Sequence, residues 1–354
     1  MAHLLQDRFS ALVDEKLRYE LVQKNGSVWN NRYEGDPKAG AVKIPVRDTE
    51  VTVAAYNKAQ GKALTEGATS YLSKTISKDY AVNEIIDGYD AAAVPDNLVA
   101  DRLDSAGYSL ALQMNTDGTA VLVANGTPIS TAAAMTDQTV YGAMVDARTA
   151  MSNAKVPVTG RFALVRPETF ALILKSAEFI KASALGDAVV QTGARGPIAG
   201  FNIFEDRTLP ANASFIVGHP NWCTRVEEWA VPARLQSLDG SGTFIGASAV
   251  QGRKVYDHFV TKPQTLFIKP KILNPVITVT GGATDTAAIV STNATTIKYR
   301  FWDASAGTPA WSAWGDYSAA LSVADGDKIE AYGTDADGIK TVTVSHTVTA
   351  TELT

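Results

Sequence analysis

Residues 161–174, RFALVRPETFALIL, hold the sharpest structural signal in the chain. Arg161 to Val165 is a short apolar run and reads as a buried strand. Pro167 has no N–H to give a strand ladder, whereas its fixed φ suits the first turn of a helix. The chain therefore turns at Arg166-Pro167, and Phe170, Ile173 and Leu174 recur at helical spacing as the inward face of a short helix.

Downstream, residues 193–218, GARGPIAGFNIFEDRTLPANASFIVG, set glycines and prolines around two short apolar strands. Strand-like pieces continue from Trp222 to Lys271, ending in VYDHFVTKPQTLFIKPK, whose last strand closes the first domain. Upstream, Val140, Met144, Ala147 and Met151 form one stripe of a helix capped by Thr136 or Asp137. Before it comes the clearest helix. Pro95 and Asp96 open it, Asp96 as N-cap, and Val99, Leu103, Ala106 and Leu110 repeat at helical steps. About 18 residues at 1.5 Å each make a rod of roughly 27 Å.

Residues 26–71 read as β, through AVKIPVRDTEVTVAAY and the glycine-containing GKALTEGAT. Few large apolar groups face a core there, which predicts a long hairpin that must find burial on another molecule. LSKTISKDYAVNEIID, 72–87, alternates apolar and polar residues as a returning strand. At the amino end, Leu5, Phe9, Leu12, Leu17 and Leu21 predict an amphipathic helix over 3–23 that needs a partner surface. After Lys271 the helical period vanishes. ITVTG, AAIVST, TIKYRFWD, SAALSV, KIEAYGTD and KTVTVSHTV follow at short intervals, predicting a β-sandwich over 275–354 with its boundary at Pro275.

Composition narrows the function. The 354 residues suffice for two or three domains, with 45% hydrophobic and 19% charged. So low a charged fraction is what subunits covered by neighbours would show. A formal charge of −5 argues against a protein whose task is gripping phosphate backbones. The single cysteine, Cys223, rules out an internal disulfide and a thiolate zinc cage, and fits a reducing cytoplasm. No signal peptide and no membrane span is expected, so the N-x-S/T triplets at Asn25, Asn125, Asn212 and Asn293 read as chance matches.

Taken in order, the arm, the hairpin, the long helix opened by PDNLVADRLDSAGYSLAL, the strand-turn-helix ALVRPETFALIL and the segment GPIAGFNIFEDRTLP resemble the major capsid proteins of tailed phages with the Hong Kong 97-type fold. The resemblance covers about residues 1–272. It implies an α+β subunit with an N-terminal arm (1–34), an extended loop (35–75), and peripheral and axial domains (76–272). The spine helix would span 95–114 and the axial domain would fall within 187–255. It also implies self-assembly into pentamers and hexamers of an icosahedral shell around packaged double-stranded DNA, bound without sequence specificity, in the virion after assembly in a bacterial cytoplasm. A portal and a separate scaffolding protein are the expected partners, because no long removable helical segment precedes the fold. Some members crosslink a Lys to an Asn. Lys58, Lys62 and Lys74 lie in the loop region, but nothing in the sequence supplies the distant Asn or an assisting Glu.

Residues 275–354 resemble bacterial immunoglobulin-like modules, through IKYRFWDASAGTPAWSAWGDY and LSVADGDKIEAYGTDADG, and would decorate the outer surface. Trp302, Trp311, Trp314 and Tyr317 cluster there, and aromatic faces can stack on sugar rings, which makes these four the candidate contacts for surface glycans. Core packing of a small sandwich accounts for at least one of them. The alternative function is a bacterial surface adhesin or glycan-binding protein.

No catalytic residue, cofactor or metal is expected. G-x-S-x-G, H-E-x-x-H and the P-loop pattern are missing, and Gly240 to Gly246 misses the dinucleotide fingerprint by one residue. The four histidines are scattered, and His219 with Cys223 supplies only two ligands. Glu227 and Glu228 would need a pocket for acid-base work. Asp325, Asp327, Asp335 and Asp337 could offer oxygens to calcium, although acidic residues in tight turns are the commoner pattern.

Overall fold

The computed structural model describes residues 16–33, 40–47, 50–51, 53–59, 61–62, 67, 69–93, 97–177 and 197–353. Its elements begin with β1 (Ala41–Val46), β2 (Ser70–Thr75), β3 (Lys78–Asp87), α1 (Gly88–Ala93), α2 (Leu98–Asn125) and β4 (Thr127–Pro128). Next come α3 (Val140–Asn153), β5 (Phe162–Val165), α4 (Pro167–Lys175), β6 (Asn202–Glu205), β7 (Ala213–Gly218), β8 (Cys223–Ser237), β9 (Ala247–Val260) and β10 (Phe267–Pro270). The end of the chain is all β: β11 (Val276–Thr280), β12 (Thr286–Val290), β13 (Thr296–Trp302), β14 (Gly315–Asp316), β15 (Leu321–Ser322), β16 (Lys328–Thr334) and β17 (Val344–Thr347). Two compact units result; among the described residues one gathers those within 16–18, 31–114 and 224–261 and the other those within 19–30, 115–223 and 262–353.

In the first unit, β1 and β2 form an antiparallel ribbon from Ala41 opposite Thr75 to Val46 opposite Ser70. Pro45 is tolerated because a two-stranded ribbon leaves each strand a free edge. Ile44, opposite Leu72 in this ribbon, packs with Val226 and Phe259. The strand expected over 72–87 is in fact two. The break falls at Ser77, whose amide and hydroxyl both donate to Asp257 Oδ2 at 2.9 Å. Beyond it β3 pairs with β9 over ten residues, and β8 completes the sheet. Val99, Leu103 and Ala106 of α2 bury against Ile86 and Val250 of this sheet.

α2 corrects the expected rod of 95–114. It begins at Leu98, with Asn97 Oδ1 accepting from the Ala100 amide at 3.4 Å. The proposed cap Asp96 lies outside the described residues. The helix then runs to Asn125, 28 residues or roughly 42 Å. Asn115, Asp117, Gly118 and Thr119 are poor helix formers, yet Asn115, Asp117 and Thr119 are buried, and Leu122 and Val123 add apolar burial that outweighs propensity.

The second unit holds a five-stranded sheet in the order β4-β10-β7-β5-β6, with β5 parallel to β6 and antiparallel to β7. Val140, Met144, Ala147 and Met151 of α3 pack with Phe170 and Ile173 of α4 against Ala163, Val165, Phe215 and Val217. The α3 N-cap is Thr139 rather than Thr136 or Asp137; its hydroxyl accepts from the Thr136 amide at 2.9 Å instead of capping the helix. Residues 187–255, within which the axial domain is expected, belong where described to the second unit up to Cys223 and to the first from Thr224.

The helix expected over 3–23 is not found where it can be seen. Residues 1–15 lie outside the described residues, and Lys16 to Lys24 have no regular structure. Packing, not an apolar stripe, fixes the segment. Trp29 is fully buried and donates to Gln23 Oε1 at 3.1 Å, while Gln23 Nε2 donates to Thr119 Oγ1 at 2.6 Å and Asp206 Oδ2 at 2.7 Å.

Residues 275–354 form two sheets, β11-β12-β15 and β14-β13-β16-β17. They share a core of Ala287, Ile289, Val323, Ile329, Ala331 and Val348. The linker is fastened on both sides: Leu273 N donates to Thr292 O and Asn274 N to Thr131 O.

Candidate functional site

Exposed apolar groups mark the surfaces on which this chain would meet others. Val51, Val53 and Tyr56, in the 47–69 connection between β1 and β2, are 85%, 92% and 73% exposed. A second prominence is the turn between β8 and β9. There Asp239 Oδ1 accepts from the Gly246 amide at 2.8 Å, Ser241 Oγ accepts from the Phe244 amide at 3.2 Å, and Ile245 stands almost fully exposed. Gly246 at φ +74° turns the chain so that its carbonyl meets the amide of Gly88 at 3.0 Å.

The residues considered for chemistry are engaged structurally. His219 Nδ1 accepts from the Asn221 amide at 3.1 Å, and its Nε2 lies 3.0 Å from the Thr159 carbonyl. Burial pushes the Cys223 thiol up to about 12. Asp335 Oδ1 accepts from Asp337 N and Ile339 N, and its Oδ2 from Asn212 Nδ2 at 3.0 Å. Both oxygens of Asp327 accept backbone amides, from Ala304 and Ala324. These carboxylates build turns. Glu227 pairs with Lys254 at 3.6 Å. No group of three or more His, Cys, Asp or Glu suited to a metal occurs among the described residues.

The four aromatic candidates separate. Tyr317 turns inward, its ring 6.0 Å from Tyr299 and its hydroxyl accepting the Ile289 amide at 3.1 Å. Trp302, Trp311 and Trp314 gather on the opposite face of the four-stranded sheet. Trp302 meets Trp311 edge-on at 5.7 Å, and Trp314 meets Tyr332 at 4.9 Å. The Arg300 guanidinium sits 4.6 Å from the Trp311 ring and 5.0 Å from that of Trp314, held by Glu330 at 2.5 Å. Tyr332 escaped the sequence reading. It lies opposite Lys298 on β16, and alternation along that strand, with Ile329 and Ala331 inward, is the signal that would have found it.

The fold itself is shared with known shells. A chain from Mycobacterium phage Che8 is 19% identical, with a TM-score of 0.65 over 76% of this chain and 98% of its own. A chain from the bacteriophage PhiM1 mature capsid is 15% identical, with a TM-score of 0.60 over 75% and 92%. One from the capsid of cyanophage P-SCSP1u is 13% identical, with a TM-score of 0.62 over 75% and 93%. These likenesses define the fold as the α+β Hong Kong 97-type capsid fold. No curated protein matches the sequence. The family model described as phage capsid protein matches residues 84–267, and the chain belongs to that family. It is a structural protein of the virion capsid and not an enzyme.

Proposed function

We propose that this chain is the repeating shell subunit, assembling through its β1–β2 hairpin and its β8–β9 turn into pentamers and hexamers of an icosahedral head around double-stranded DNA. The observation that carries the reading is the exposure of Val51, Val53 and Tyr56 in the connection beyond the last ribbon pair, Val46 opposite Ser70, whereas Ile44 within the ribbon is buried. Apolar groups so placed gain burial only on another molecule. A portal and a separate scaffolding protein are the further partners such a head calls for. The rival reading, a surface adhesin, has no support in the family match.

Residues 275–354 are read as an immunoglobulin-like module on the outer surface, with Trp302, Trp311 and Trp314 as its glycan-contact face. Two sheets closing on one core support the first part. So does length: about a quarter of this chain has no counterpart in the similar capsid chains, roughly the share that the module makes up. Replacing residues 50–58 by a short glycine-serine link tests the assembly reading. Loss of particles by electron microscopy with an unchanged melting transition is expected; uniform shells from that variant would refute it.

A further inference from the structure

The outer face of the β14-β13-β16-β17 sheet carries an imbalance of charge. Cross-strand register puts Lys298 opposite Tyr332, Arg300 opposite Glu330 and Trp302 opposite Lys328, so these side chains share one face, away from the core residues Ile329 and Ala331. Two of its cations are neutralised: Lys298 pairs with Asp316 at 2.6 Å and Arg300 with Glu330 at 2.5 Å. Two are not. The Lys328 ammonium lies 5.7 Å from the Trp302 ring and the Lys340 ammonium 5.7 Å from the Tyr332 ring, and neither joins an ion pair among the described residues. Lys328, opposite Trp302, and Tyr332 are four residues apart on β16, which spaces these two strand positions roughly 13 Å apart at about 3.3 Å per residue.

We infer that this face binds an acidic polysaccharide, with carboxylates of the polymer at Lys328 and Lys340 and sugar rings against Trp302, Trp314 and Tyr332. The inference deepens the glycan reading above and rests on it. Charge complementarity selects the ligand: aromatic platforms alone would accept any sugar, but two uncompensated ammonium groups on a chain of net charge −5 favour a polyanion locally. The spacing of the Trp302 and Tyr332 positions along the sheet exceeds one sugar ring and calls for an oligomer. Single-stranded nucleic acid also stacks on aromatic side chains, yet it is gripped by a basic groove that tracks the backbone. Here the two unpaired cations stand singly, one beside Trp302 and one beside Tyr332.

The test measures binding of the full-length, unassembled chain to polygalacturonate, to neutral dextran and to poly(dT) at low and moderate salt. Polygalacturonate should bind and weaken with salt, and dextran should not. The double variant Lys328→Gln/Lys340→Gln should lose about tenfold in affinity, Trp314→Ala should weaken it further, and Lys58→Gln should leave it unchanged. No binding of polygalacturonate at low salt, binding indifferent to the double variant, or tighter binding of poly(dT) would overturn the inference. Intact particles supply the second arm. Binding by the free chain but not by particles would sustain the ligand class while refuting the outward orientation.

Discussion

The guanidinium of Arg161 donates to the carbonyl of Val156 at 2.6 Å inside the second unit. It also reaches the carbonyls of Pro157 and Arg148 and the hydroxyl of Ser152, and no carboxylate pairs with it among the described residues. Arg148 and Ser152 belong to the end of α3, so the cation sits at the negative pole of that helix dipole and closes the turn into β5. Arg161→Met would leave the buried Val156 carbonyl without this donor and remove the part-buried bonds to Pro157, Arg148 and Ser152. We expect a loss of about 3 kcal/mol by urea denaturation of unassembled protein. Arg161→Lys should recover only part of it, since one ammonium cannot meet four acceptors spread over the fork.

Two glycines should respond in opposite directions to the same change. A methyl group on Gly88 would overlap the Gly246 carbonyl oxygen, whereas one on Gly107 meets nothing within 4 Å. Gly88→Ala should cost about 1–3 kcal/mol and loosen the β8–β9 turn. Gly107→Ala, in the exposed interior of α2, should stabilise by about 0.5–1 kcal/mol. Melting curves of both variants decide the matter, and equal shifts would refute the packing described.

His258 sets an acid limit on the first unit. Burial, followed by the nearby positive charges of Arg225 and Lys78, pushes its pKa from 6.5 down to about 3. Between those values the unfolded chain takes up a proton that the folded one refuses. The folded state is thus at full stability above pH 6.5 and weakens as pH falls toward 3. The slope should approach about 1.4 kcal/mol per pH unit. His258→Phe should flatten that slope between pH 6.5 and 4.5 in urea denaturation.

Cys223 should be inert in the folded chain. It is fully buried, and desolvation raises its pKa to about 12, so almost no thiolate exists at neutral pH. Labelling with a thiol reagent should require denaturant; rapid labelling of the native chain would contradict the packing around β8.

Much of this fold was legible because period and burial agree. The strand-turn-helix of 161–175 follows from one proline and three apolar positions, and the α3 stripe is buried as its spacing demands. Reading failed where tertiary contact overrides local preference. The helix expected over 95–114 stops before Asn115 to Thr119, yet burial carries α2 through them. The amino segment looked amphipathic, yet Leu17 is exposed and Trp29 and Gln23 anchor the stretch instead. Of the four aromatic residues, hydrophobicity could not separate Tyr317, turned inward to Tyr299 and the Ile289 amide, from the outward tryptophans around Arg300.

If this chain buries its exposed apolar surfaces only among its own copies, electron microscopy of the purified full-length protein will show it. Closed particles, or rings of five and six subunits, are the expected result. Dispersed monomers across a range of salt and protein concentrations, with a scaffolding partner supplied, would contradict it.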